Sequence, residues 1–140
     1  MRLVLDTNTV LSGSLWGGTP RRLIQAATTG EIELVSSVAL LTEFRGVLSR
    51  DKFARQLASH SLTVARVFAD YLELVTIVTP AEINPTIQRD PADDMVLAAA
   101  LGGRAALIVS GDAHLLDLKS FQGIDIVTAA AVLDRMARAN

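Results

Sequence analysis

Short apolar runs alternate with amphipathic stretches along the whole chain, and this alternation restricts the fold more than any other feature. The runs are Leu3-Val4-Leu5, Ile32-Glu33-Leu34-Val35, Val75-Thr76-Ile77-Val78, Ala106-Leu107-Ile108-Val109 and Ile124-Asp125-Ile126-Val127. Each has the length of a strand and ends at turn or capping residues, while the segments between them carry apolar residues at helical spacing. Strand–helix alternation of this kind predicts an α/β protein with helices on both faces of a parallel sheet. The expectation is a three-layer α/β/α sandwich on five parallel strands with right-handed crossovers. The run 106–109 is continuous in apolar residues and predicts a central strand.

The intervening helices have readable boundaries. Val10 and Leu11 begin a short helix that ends near Gly13. Thr19-Pro20 reads as a cap followed by proline in the first turn, and Gly30 closes that helix. Ser36-Ser37 opens a third, with Val38, Leu41 and Leu48 facing inward. Asp51 to Leu57 forms a further short helix. Leu62 to Leu74 is amphipathic, with Val64, Val67, Phe68, Tyr71 and Leu72 on the inner side. A polar connection runs from Asn84 to Asp93, and Asp93-Asp94 opens a helix from Met95 to Leu101 that Gly102-Gly103 stops. Ala113 to Leu118 is short, and Thr128 caps a last helix reaching Arg138.

The chain has 140 residues, which suits a single domain over 1–140. Half of the residues are hydrophobic and 20% are charged, which excludes a disordered chain. With no cysteine there is no disulfide, thiolate metal site or thiol nucleophile, and a cytoplasmic location fits. The longest apolar run, Met95 to Leu101, falls far short of the roughly 20 residues that a membrane span needs. A net charge of −2 supplies no global attraction to nucleic acid, so any such contact depends on local basic residues or a bound cation.

Acids recur at the junctions. Asp6 follows the first strand and Asp112 the fourth; in a doubly wound sheet these strands are neighbours, and their carboxyl ends flank the ligand crevice. Asp94 enters at the start of the helix before the fourth strand, and Glu43 from the helix after the second. Each has an ordinary alternative. Asp6 would cap the next helix, Asp112 would sit in a turn, Asp93 and Asp94 would complement a helix dipole, and Glu43 would be a surface residue. Taken together they form a carboxylate cluster that a hard divalent cation would relieve. The lack of cysteine and the scarcity of histidine, only two residues, argue against zinc.

Four stretches carry a family resemblance: Leu3-Val4-Leu5-Asp6-Thr7-Asn8; Leu40-Leu41-Thr42-Glu43-Phe44; Arg89-Asp90-Pro91-Ala92-Asp93-Asp94-Met95-Val96-Leu97-Ala98-Ala99-Ala100; and Ile108-Val109-Ser110-Gly111-Asp112-Ala113-His114-Leu115-Leu116. In this order they resemble the PIN domains, the nuclease domains of VapC-type toxins of toxin–antitoxin systems. The resemblance implies a five-stranded parallel sheet and an endoribonuclease dependent on Mg²⁺ or Mn²⁺. Its catalytic acids fall on Asp6, Glu43, Asp94 and Asp112, with Asp6, Asp94 and Asp112 holding the metal. Asp94 keeps the family's spacing to Ala98-Ala99; Asp93 and Asp90 are possible helpers. Asn8 matches a polar residue that supports the first acid. Thr7 and Ser110 are further candidates to fix carboxylate rotamers. Ala92 is a departure, being neutral where the family is often acidic. An RNA substrate, a cognate antitoxin and a homodimer are implied by the same resemblance.

RNA approaching an acidic crevice needs a basic rim, for which Arg45, Arg50, Lys52, Arg89 and Lys119 are candidates. His60 and His114 have no evident acid–base partner, and Trp16 before Gly17-Gly18 would either pack or stack on a base. Two rival readings remain: a catalytically inactive PIN fold that binds RNA or protein, and a haloacid-dehalogenase-like phosphatase. The phosphatase needs a second Asp two residues after the first, and Asn8 occupies that position.

Overall fold

The computed structural model describes residues 1–84 and 91–139. Six strands form one sheet: β1 (Arg2–Leu5), β2 (Glu33–Ser36), β3 (Val75–Ile77), β4 (Leu107–Val109), β5 (Ser120–Phe121) and β6 (Ile124–Val127). Their spatial order is β3-β2-β1-β4-β6-β5. All pairings are parallel except β5 with β6. The five expected strands are present, and β5 is the addition. It is two residues long, too short to register as an apolar run, and is folded back by Gln122 and Gly123 at φ of 47° and 85°. Two consecutive left-handed residues match the twist of a tight hairpin. Strand β4 lies in the middle beside β1, as its unbroken apolar run requires.

Alternation along each strand divides the core. Leu3, Leu5, Leu34, Leu107 and Val109 face one layer of helices, while Val4, Val35, Ile108 and Ile126 face the other. The first layer holds α1 (Thr7–Leu15), α2 (Thr19–Thr28), α3 (Val38–Leu48), α4 (Ala54–Ser59), α5 (Val64–Leu74) and α8 (Ala129–Ala139). The second holds α6 (Pro91–Gly102) and α7 (Ala113–Leu118). A 3₁₀ turn over Asp51–Phe53 precedes α4. No helix among the described residues is long and apolar enough to cross a membrane.

Two helix boundaries and the burial of two side chains differ from the sequence expectation. Helix α1 does not end near Gly13 but runs through it to Leu15. A Cβ on Gly13 would lie 2.6 Å from Ile24 Cδ1 and 2.9 Å from the Pro20 carbonyl oxygen, so this glycine lets α1 and α2 meet. Helix α6 starts at Pro91 rather than Met95, because the fixed φ of proline suits a first turn. Val38 and Leu72, expected inside, are surface residues, and Ile77 joins them. All three lie toward β3, the edge strand, beyond which no described element packs.

Candidate active site

The register of β1 and β4 sets the first half of the site. Leu5 pairs with Val109, so Asp6 and Ser110 leave adjacent strands at the same level. The Asp6 amide donates to the Val109 carbonyl at 3.0 Å, and the Ser110 amide donates to that of Val127 at 3.0 Å. Both residues are buried, Asp6 to 4% and Ser110 to 1% exposure. Asp6 caps α1: its Oδ1 accepts from the Thr9 amide at 2.8 Å. Its Oδ2 accepts a short hydrogen bond from the Ser110 hydroxyl. Ser110 Oγ in turn accepts from the Asp112 amide at 2.9 Å. Asp112 caps α7, its Oδ1 accepting from the His114 amide at 2.7 Å. Capping therefore accounts for part of the chemistry at both aspartates. It does not exhaust them, since a carboxylate offers about four lone-pair positions.

These aspartates open onto a cleft of about 510 Å³ whose carboxylate walls are Asp6, Glu43, Asp93 and Asp112. Helix α3 supplies Glu43. Its apolar face, Leu41, Phe44 and Leu48, is pinned in the core, which leaves Glu43 on the flank with Oε2 buried. Helix α6 supplies Asp93, 7% exposed, with Oδ2 buried. Asp94 is half-buried and is not part of the cleft wall. Successive helical residues are rotated by about 100°. Asp93 shares a face with Val96, Leu97 and Ala100, all buried, whereas Asp94 shares one with Leu97, Ala98 and Leu101, of which Ala98 and Leu101 are only partly so. Spacing to the alanines favoured Asp94; the burial of α6 brings Asp93 to the cleft.

The supporting polar residues divide by role. Thr7 is buried and Asn8 exposed, and both line the cleft beside Asp6. Of the cations, Arg50 and Lys52 line the cleft. Arg45 does not; its guanidinium lies over Phe68, 5.2 Å from the ring centroid, in the surface groove shared with Val38, Leu72 and Ile77. Lys119 terminates α7 away from the cleft lining, and Arg89 and Asp90 lie outside the described residues. His114 offers its backbone to Asp112, and the His60 ring contacts Ser59 Oγ and the Gln56 carbonyl. Phe53 was not anticipated in the wall; the only signal for it was its spacing with Leu57 in a short apolar turn. The apolar spacing of α5 marks Tyr71 only as a core residue, and it is buried. Burial holds its phenol well above the usual value near 10, and the charge of Asp6 adds to that effect.

The donors at the cleft are carboxylate oxygens, with neither cysteine nor histidine among the lining residues. That chemistry fits a hard divalent cation such as Mg²⁺ or Mn²⁺. Among the described residues, no group of three or more such side chains is arranged to hold one ion. The fit is therefore to a cation that keeps most of its waters and takes one or two carboxylates directly, the usual habit of Mg²⁺.

The model of a family described as PIN domain matches residues 2–114. No curated protein matches the chain. The matched span includes β1 with Asp6, α3 with Glu43, α6 with Asp93 and Asp94, and the loop that carries Ser110 and Asp112. The chain belongs to the PIN-domain family, and its fold is of nuclease type.

Proposed function

We propose that the protein is a metal-dependent endoribonuclease whose centre is the cleft at the carboxyl ends of β1 and β4. The observation that carries this reading is the meeting of Asp6, Glu43, Asp93 and Asp112, from four separate segments, at one opening. Of Asp6, Asp112 and Asp93, the last in the role expected of Asp94, one or two would bind Mg²⁺ or Mn²⁺ directly and the others would reach it through its waters. When bound, such a cation supplies positive charge to a phosphoryl oxygen and lowers the pKa of a coordinated water. The chain's own groups do the rest. Ser110 and the Thr9 amide fix the Asp6 carboxylate, and the His114 amide fixes Asp112. Glu43 orients the attacking water and accepts its proton. Arg50 and Lys52 receive flanking phosphates.

The order of the four acidic stretches supports a narrower reading, the toxin of a type II toxin–antitoxin pair, acting on cytoplasmic RNA and held by a cognate antitoxin. Co-expression with the product of an adjacent reading frame should then relieve growth arrest. A homodimer is supported by the exposed apolar side chains of Val38, Leu72 and Ile77, the first of them 67% exposed. A monomeric mass at micromolar concentration would remove it. The whole chain, 1–140, would act as one domain.

The deciding experiment compares the native protein with Asp6→Asn on a panel of RNAs, with Mn²⁺, with Mg²⁺ and with chelator. Asparagine keeps the helix cap through its one oxygen but sets its amide nitrogen against the Ser110 hydroxyl, so a melting curve of the variant accompanies the assay to show that it is folded. Cleavage by the native protein alone, lost with chelator, is expected. If metal neither supports cleavage nor raises the melting temperature of the native protein, the inactive binding-module reading replaces this one.

A further inference from the structure

Part of the cleft wall is aromatic and basic. Phe53 lines the cleft together with Arg50 and Lys52. Lys52 Nζ lies 5.1 Å from the Phe53 ring centroid. Trp16 stands on the same ring, with centroids 6.1 Å apart and an interplanar angle of 70°. A core tryptophan would be covered by its neighbours, but Trp16 is 44% exposed. Its backbone is held firmly: the Trp16 amide donates to the Ser12 carbonyl at 2.9 Å, and Gln56 Nε2 donates to the adjacent Leu15 carbonyl at 2.9 Å. The result is a large exposed ring, fixed at its root, one aromatic ring away from Lys52 and from the acidic cleft.

We infer that Trp16 is a substrate-positioning residue, the platform on which a nucleobase of the RNA stacks while Arg50 and Lys52 receive the neighbouring phosphates. This rests on the ribonuclease reading above and adds a residue to it. Aromatic rings interleaved with cations bind single strands through the faces of the bases and through the backbone, with little sequence preference. The cleft carboxylates would repel the same backbone, so grip on the strand must come from the cations and the rings. A base fixed at Trp16 sets which phosphodiester reaches the acids.

Trp16 is the only tryptophan in the chain, so its fluorescence reports on this position alone. The test titrates the native protein, in chelator and again in Ca²⁺, with a mixed-sequence 12-nucleotide single-stranded RNA and with the same sequence as a duplex. Tryptophan fluorescence and the anisotropy of labelled RNA are read together. Quenching by the single strand, with the same midpoint as the anisotropy, is expected. Trp16→Leu should weaken single-strand binding about tenfold, the scale of one base–aromatic stack, with duplex binding unchanged. Trp16→Phe should recover most of the loss, which a purely structural role for the ring would not produce. Anisotropy that rises with no change in fluorescence, or equal binding by native and Trp16→Leu protein, overturns the inference and leaves the ribonuclease reading standing. No rise in anisotropy with either RNA under both conditions overturns both.

Discussion

The Ser110 hydroxyl donates its single proton to Asp6 Oδ2 across 104 positions of sequence, while its oxygen accepts the amide of Asp112. One side chain thus ties together the two aspartates that end the two central strands. The hydroxyl proton goes to Asp6, because its other partner, the Asp112 amide, is itself a donor and can only be accepted. The arrangement follows from register, since Leu5 pairs with Val109 and the next residues of β1 and β4 are Asp6 and Ser110.

Ser110→Ala removes both hydrogen bonds at once in a nearly closed site. The buried Asp6 oxygen and the Asp112 amide each lose a partner, and the expected cost is about 1–3 kcal/mol of stability. Groups that orient metal ligands typically contribute 10- to 100-fold in metal affinity or activity. Urea denaturation and a Mn²⁺ titration followed by melting temperature should therefore both shift. A variant with native metal response would mean that Ser110 only stabilises the loop.

Asp93 and Asp94 are chemically identical neighbours, and only their positions around α6 distinguish them. If Asp93 holds the metal, Asp93→Asn should lower Mn²⁺-dependent cleavage about 100-fold or more, since a bound cation contributes several kcal/mol to the transition state. Asp94→Asn should remain within a few-fold of native. The reverse ranking, measured under single-turnover conditions, would return the role to Asp94.

Tyr71 gives the molecule an alkaline limit. Its phenol is held well above its usual value near 10 by burial and by Asp6, so the unfolded chain releases this proton first. Between the two pKa values the folded state binds the extra proton, and stability falls as pH rises. The contribution is fully present below about pH 10 and declines above it. Denaturation midpoints measured from pH 8 to 11 should show this decline, and Tyr71→Phe should flatten it. An equal slope in the variant would assign the loss to other groups.

Gly13→Ala should force α1 and α2 apart. The new methyl would meet Ile24 Cδ1 at 2.6 Å and the Pro20 carbonyl oxygen at 2.9 Å; the Ile24 side chain is free to turn, but the proline backbone is not. Overpacking of this kind costs about 1–3 kcal/mol, against the gain of under 1 kcal/mol that alanine usually brings inside a helix. A thermal melt decides the sign: a rise in melting temperature would show that the helices have room to adjust.

The sequence by itself determined the α/β class, the five parallel strands and the central place of β4. These depend on local periodicity, and each strand carries its own apolar signature. It also marked Asp6, Glu43 and Asp112 as junction acids, because residues at strand ends or on a helix flank are located by position along the chain. Tertiary structure decided the rest. It selected Asp93 over Asp94 for the cleft, because that depends on which face of α6 meets the sheet. It turned Gly13 from a helix stop into a contact, since the partner Pro20 belongs to another helix. It left Val38 exposed, because the sheet ends at β3. It also moved Arg45 away from the cleft and brought Phe53 into it. Periodicity fixes which residues of one element share a face; what that face meets depends on elements distant in sequence, and only packing sets that.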